Sequence, residues 1–191
     1  MKLISSYEDI TGWFDFQDIY DEAVNVAQDG DEFLEIGCFM GKSTFYLCEK
    51  IKKSEKKINV TVVDTFEPDW SHYFDLINEN KGGSLLEIFN RNLYTYNDII
   101  KIVKGRSDDV FHQFNDNQFK MIFIDAAHDY ESVRNDLANY YPKLQKGGIF
   151  AGHDYFEKDA GVHKAVNEFA ENDKISIEIR KSSWFLIKPI L

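Results

Sequence analysis

Short apolar runs bounded by polar turns alternate along this chain with longer stretches in which apolar residues recur every three or four positions. The short runs predict strands at residues 32–36, 58–63, 99–103, 120–124 and 148–151, followed by a final pair at 175–179 and 184–187. Between them Thr44, Leu47, Cys48 and Ile51 fall at helical spacing, as do Val133, Leu137 and Tyr141, and then Val162, Ala165, Val166 and Phe169. Ahead of the first strand, Ile19, Ala23, Val26 and Ala27 mark one more amphipathic helix. Strands alternating with helices predict βαβ units and a doubly wound α/β fold around a mostly parallel sheet. Only residues 180–183 separate the last two strands, too few for a parallel crossover, so these two should form an antiparallel hairpin. The expectation is a seven-stranded sheet, five strands parallel and two in a C-terminal hairpin.

At 191 residues the chain suits one domain spanning 1–191, because a domain of this size buries about 70% of its unfolded surface. Within it, residues 1–30 read as an N-terminal helical cover. Residues 65–83 read as a long insertion rich in Trp70, His72, Tyr73 and Phe74, of the kind that forms a substrate lid. No stretch approaches the roughly 20 apolar residues of a membrane span. The N-terminus runs quickly into Glu8 and Asp9 without the apolar core of a signal peptide, which points to the cytoplasm. Thirty-three acidic against 22 basic residues leave a net charge of -11, and that charge repels a phosphate backbone, so a nucleic-acid partner is not expected. Two cysteines, Cys38 and Cys48, supply neither a disulfide framework nor a zinc site and read as reduced packing residues. A homo-oligomer is compatible with the sequence, which does not specify one.

In an open parallel sheet, ligands bind beyond the carboxyl ends of the strands. The first strand runs into Glu35-Ile36-Gly37-Cys38-Phe39-Met40-Gly41-Lys42-Ser43-Thr44, a glycine-bearing turn that opens a helix. Gly-x-x-x-Gly-Lys-Ser-Thr is one residue shorter than a phosphate-binding P-loop, although Met121-Ile122-Phe123-Ile124-Asp125 looks like the magnesium-holding strand of a nucleotide hydrolase. The Gly-x-Gly-x-x-Gly of a dinucleotide site is absent. Further groups follow the other strands: Val63-Asp64-Thr65, Gly105-Arg106-Ser107-Asp108-Asp109, Ile124-Asp125-Ala126-Ala127-His128-Asp129-Tyr130, and Gly147-Gly148 with His153-Asp154-Tyr155.

In order and spacing this set, over residues 32–155, resembles class I S-adenosylmethionine-dependent methyltransferases of the family 24 type. Macrocin-type sugar O-methyltransferases and cephalosporin hydroxylase-like proteins are relatives of that group. The resemblance implies a Rossmann-like fold, S-adenosyl-L-methionine as cofactor, S-adenosyl-L-homocysteine as product, and a small hydroxylated acceptor such as a sugar or glycoside. It implies that Asp64 accepts the ribose hydroxyls, with Thr65 beside it. It implies that Glu35, Gly37, Gly41 and Ser43 hold the methionine portion. Ser107 and Asp108 match adenine-facing positions, but Ser-Asp-Asp also reads as a helix cap with favourable first-turn acids.

Methyl transfer to oxygen asks the protein to align the acceptor and help remove its proton. The resemblance directs that role to Asp125, His128 and His153. In metal-dependent relatives an aspartate after the fourth strand and an acidic pair after the fifth bind Mg²⁺; here the set is Asp125, His153 and Asp154. Histidine in place of the first acid of the pair suits Mn²⁺ or a softer ion better than Mg²⁺. Alternatively, His153 or His128 is the general base, because imidazole titrates near neutral pH. A non-catalytic adenosyl-ligand or partner-binding module on the same fold is the other reading, and a nucleotide hydrolase a third.

Overall fold

The computed structural model describes residues 4–67, 83–156 and 160–190. Seven strands form one sheet: β1 (Glu32–Ile36), β2 (Asn59–Asp64), β3 (Ile100–Lys104), β4 (Phe119–Ile124), β5 (Leu144–Gly152), β6 (Glu178–Arg180) and β7 (Ser183–Ile187). Their order is β3-β2-β1-β4-β5-β7-β6, parallel through β5 and antiparallel for β7 and β6. This is the doubly wound sheet with a C-terminal hairpin that the hydrophobic pattern predicts. Chain order reverses between β1 and β4, and the sheet opens a crevice there.

Alternation along each strand decides which layer a residue joins. Phe33, Val60, Val62, Met121 and Phe123 face a layer containing α1 (Gln17–Val26), α2 (Lys42–Ser54) and α3 (Leu85–Asn92). Leu34, Ile36, Ile122, Ile124 and Phe150 face the opposite layer, built from α4 (Ser107–Val110), α5 (Tyr130–Tyr140) and α6 (Ala160–Asp173). Burial of ten or so large side chains on each face, at roughly 1.5–3 kcal/mol apiece, is what holds the helices against the sheet.

Three elements differ from the pattern-based expectation. In α1 the inward stripe is Ile19, Tyr20, Ala23, Val24 and Ala27, whereas Val26 is 49% exposed. Helical geometry puts Val26 off the face that the i, i+1, i+4, i+5 positions share. The β6 strand is shorter than residues 175–179, because Ile175 and Ile177 pack against the second core layer before Glu178 begins to pair. At the sheet edge only three residues gain ladder bonds. Strand β5 is longer than expected, starting at Leu144 after an irregular register between Phe119 and Met121 of β4. Most of the predicted insertion, residues 68–82, lies outside the described residues. No helix among the described residues is long and apolar enough to cross a membrane. Both Cys38 and Cys48 are buried and unpaired.

Candidate active site

A cavity of about 900 Å³ opens over the carboxyl ends of the parallel strands. Ile36–Phe39 after β1, Asp64 and Thr65 after β2, Gly105–Asp108 after β3 and Asp125–His128 after β4 line it. His153 and Asp154 after β5 complete that wall, and Trp13, Phe14 and Asp15 of the N-terminal segment close it from the side. The sequence assigned no ligand role to that segment.

The glycine turn is shaped by packing at its two ends. Gly37 has φ 82° and passes so close to the β4 end that an added Cβ would sit 2.9 Å from the Ala126 Cα and overlap the Asp125 carbonyl. Gly41, at φ 86°, is the residue from which α2 starts, and a Cβ there would strike Leu93 and Phe89. Gly41 therefore forms the turn without lining the cavity. Between the glycines, the Cys38 and Phe39 amides donate to one oxygen of Asp64 at 2.8 and 3.0 Å. The Phe66 amide donates to the other oxygen at 2.7 Å. A carboxylate thus occupies the amides that a P-loop would present to a phosphate, which removes the physical basis of nucleotide hydrolysis at this turn. A carboxylate has about four lone-pair sites, so Asp64, on the cavity wall, keeps acceptor capacity for a ligand donor.

Glu35 points from β1 into the α1–α2 layer, is 1% exposed and does not line the cavity. It accepts from the Tyr20 hydroxyl at 2.9 Å, from Thr44 at 2.5 Å and from Ser43. Of the predicted methionine-holding residues, Ser43 reaches the cavity and Glu35 stands behind it. Burial pushes the Glu35 carboxyl up from 4.5 to about 7, against the pull of the three hydroxyl donors. The folded state therefore binds more protons than the unfolded state between these values, and stability should fall as pH rises through that window, then level off. The expected loss is roughly 3 kcal/mol between pH 4.5 and 7. Urea unfolding of a Glu35→Gln variant at several pH values should show a shallower slope than wild type, the remainder coming from Asp125 and Asp136, whose carboxyls burial also raises; an unchanged slope would assign the whole of it to other groups.

Beyond β4 and β5 five titratable side chains converge on the cavity wall, those of Asp15, Asp125, His128, His153 and Asp154. His128 Nε2 lies 2.9 Å from Asp154 Oδ2. His153 Nδ1 lies 3.2 Å from the same oxygen and 3.8 Å from Asp125. Its Nε2 meets Asp15 at 3.0 Å and the Ser182 hydroxyl at 2.9 Å. Burial alone would lower the His153 pKa, but the hydrogen bond to Asp154 and the charge of Asp125 prevail and push it up to about 9. Both ring nitrogens of His153 are engaged, and the side chain joins the N-terminal segment to the end of β5. Lys181 reinforces that junction through the Asp15 carbonyl at 2.6 Å.

Two members of the expected metal set, Asp125 and Asp154, stand close together beside His128. One donor atom each from Asp125, His128 and Asp154 lie within 4.8 Å of one another, so the histidine of the trio is His128. His153, the histidine of the expected set, is held by Asp154, Asp15 and Ser182. Burial raises Asp125 to about 6, partly countered by His153 and reinforced by the charge of Asp154. Burial also acts to raise Asp154, but its bonds to both histidines hold it well below the usual carboxylate range.

Near β3, Thr65 and Ser107 line the cavity. The residue capping α4 is Arg106, so Ser107 is not the cap, while Asp108 and Asp109 do occupy the first turn. The Asp108 carboxylate pairs with Arg106 at 3.0 and 3.1 Å. The sequence reading passed over Asp136, which also lines the cavity and is buried beside Ser107, 1% exposed. The signal was available: Asp136 interrupts the apolar stripe of Val133, Leu137 and Tyr140 on α5.

Solved structures with the same fold include the O-methyltransferase NovP, with a TM-score of 0.66 and 18% identity over 91% of this chain and 79% of that one. CalS11, a TDP-rhamnose 3'-O-methyltransferase of calicheamicin biosynthesis, has a TM-score of 0.60 and 16% identity over 90% and 76%. MycE, a methyltransferase of the mycinamycin pathway, has a TM-score of 0.57 and 13% identity over 91% of this chain and 47% of its own. Among curated proteins, an uncharacterized protein of Sinorhizobium fredii, y4gI, is 22% identical over 131 residues. That match covers 67% of this chain and 13% of y4gI, so the chain spans only a small part of its relative's length. A family model described as a methyltransferase domain, of the family 24 type, matches residues 34–155, the same stretch that carries the strand-end motifs. By that match over more than half its length, the chain belongs to the methyltransferase domain family.

Proposed function

We propose that this chain transfers a methyl group from S-adenosylmethionine to a hydroxyl of a small acceptor, with a sugar or glycoside as the acceptor class. One observation carries the reading: a single cavity is lined both by the glycine turn with Asp64 and by Asp125, His128 and Asp154. The remaining lone pairs of Asp64 suit a vicinal ribose diol, and Ser43 and Thr65 flank the path of the aminoacyl portion and ribose. His128 takes the acceptor proton, and Asp154, 2.9 Å from its ring, orients it. As the oxygen–carbon bond forms, the carbon–sulfur bond breaks, and the electron pair of that bond neutralises the sulfonium. Methylated acceptor and S-adenosylhomocysteine leave.

A divalent cation is the second element. Two carboxylates and an imidazole make a donor set for an ion such as Mn²⁺ or Mg²⁺, and a cation would relieve the repulsion that Asp154 imposes on Asp125. When bound, such an ion lowers the pKa of a coordinated hydroxyl. His128 is then a ligand instead of a base. MycE was solved with Mg, S-adenosylhomocysteine and mycinamycin VI, which favours testing a metal and a glycoside first.

The deciding experiment is isothermal titration with S-adenosylmethionine and S-adenosylhomocysteine, with ATP as control, each with and without Mn²⁺ or Mg²⁺. Binding of the sulfur nucleosides supports the reading; binding of ATP alone sinks it. Binding followed by no methyl transfer across a panel of glycosides would favour the non-catalytic module. With an acceptor in hand, His128→Ala should lower kcat by about a hundredfold or more while S-adenosylhomocysteine affinity stays within about twofold. Activity that survives EDTA assigns His128 the role of base, and activity restored only by metal assigns it the role of ligand.

A further inference from the structure

Large apolar side chains that face water are scattered singly over most protein surfaces, so two of them gathered in one cavity ask for an occupant. Among the described residues, Trp13 is 68% and Phe156 36% exposed, and these are the exposed large apolar side chains that line the cavity. Trp13 is not on a loose end. Phe14 beside it packs on the rings of Tyr7, Phe16, Tyr20 and Tyr46. Asp15 accepts from the Ser182 hydroxyl and meets His153 at 3.0 Å, and its carbonyl accepts from Lys181. The indole stands 6.3 Å from the Phe39 ring of the glycine turn, tilted by 38°. Trp13 is therefore held between that turn and, through Asp15 and His153, the wall that carries Asp125 and Asp154. Phe156 lies two residues beyond Asp154.

We propose that Trp13 is the platform on which a pyranose ring of the acceptor stacks, with Phe156 as a second apolar contact, and that it selects acceptors with an apolar ring face. The inference rests on the methyl-transfer reading and names the residue that recognises the acceptor. The C–H face of a pyranose covers an indole without losing a hydrogen bond, and the hydroxyls around its rim find acceptors in the carboxylates of the same wall. A flat aromatic acceptor would also stack, but it would set those carboxylates against an apolar edge, and that desolvation selects against it.

The test is titration of the full chain, saturated with S-adenosylhomocysteine, with the methyl pyranosides of glucose, galactose and rhamnose, read by calorimetry and saturation-transfer NMR. Catechol is the flat control. Wild type should bind at least one pyranoside more tightly than catechol. Trp13→Ala should weaken that binding by about tenfold. Phe156→Ala should weaken it less, and Trp13→Phe, which keeps an aromatic face, should restore most of it. Affinity for S-adenosylhomocysteine should stay within about twofold in all three variants. The melting temperature of Trp13→Ala should match wild type, because the indole is mostly exposed. Once transfer is measured, the loss should appear in KM and not in kcat. Wild-type pyranoside affinity in Trp13→Ala overturns the assignment. So does a parallel loss of S-adenosylhomocysteine binding, which would place the indole against the cofactor. Catechol binding as tight as or tighter than that of every pyranoside overturns it as well. A wild type that holds S-adenosylhomocysteine but no pyranoside overturns the proposal and leaves the cofactor reading intact, whereas failure to bind S-adenosylhomocysteine overturns both.

Discussion

Gly37→Ala is expected to yield a protein that is unfolded, or that melts roughly 10 °C or more below wild type. Two effects coincide at this position. The backbone has φ 82°, a region that L-residues with a Cβ rarely occupy. The new methyl would also meet backbone: the carbonyl of Asp125 and, at 2.9 Å, the Cα of Ala126. Side chains can turn away from an added methyl, but here the strand ends themselves must part. They are pinned by the Gly37 amide on the Val63 carbonyl and the Asp125 amide on the Ile36 carbonyl, both at 2.8 Å. Gly30→Ala is the control, since Gly30 has φ 91° but nothing within 4 Å of the added Cβ. That variant should lose only the backbone penalty, about 1 kcal/mol. Thermal melts of the two variants separate steric overlap from backbone strain, and equal melting temperatures would show that the overlap is absorbed.

Asp64→Ala is expected to weaken S-adenosylhomocysteine binding by at least about tenfold. It should also lower stability by about 1–3 kcal/mol. The structural reason for the second effect is that three backbone amides, those of Cys38, Phe39 and Phe66, lose their acceptor at once. Asp64 therefore shapes the glycine turn as well as facing the cavity. Asp64→Asn separates the two functions in part: its carbonyl oxygen can still accept from Cys38 and Phe39, while its NH₂ opposes the Phe66 amide. Titration calorimetry paired with urea unfolding reads both losses. A folded Asp64→Ala protein with wild-type affinity would remove Asp64 from the binding site.

The two histidines beyond β4 and β5 illustrate how little position along the chain says about a side chain's partners. His153 stands directly after β5, where the resemblance expects an acid that binds metal, yet it is clamped by Asp15, Ser182 and Asp154. Two of those partners, Asp15 and Ser182, lie 138 positions earlier and 29 positions later, so no local pattern could announce them. His128 sits in a loop and reads less distinctively, but that loop brings its ring to Asp154 and within reach of Asp125.

What the sequence by itself determined was the layered architecture, because strand and helix periodicities are local and the apolar runs of β1, β2 and β4 admit only a buried parallel sheet. It also determined the strand-end motifs, since in an open α/β sheet the carboxyl ends are where ligands bind, whatever the ligand. It could not determine which of two neighbouring groups does a given job. Glu35 and Ser43 both belong to the first motif, but strand alternation turns Glu35 into the helical layer while the start of α2 brings Ser43 to the cavity. Asp108 and Asp136 are 28 positions apart, and only the packing of α5 against α4 leaves one paired with Arg106 and the other buried beside Ser107. Protonation and hydrogen-bond capacity depend on burial and on partners distant in sequence, and those are decided only when the layers close.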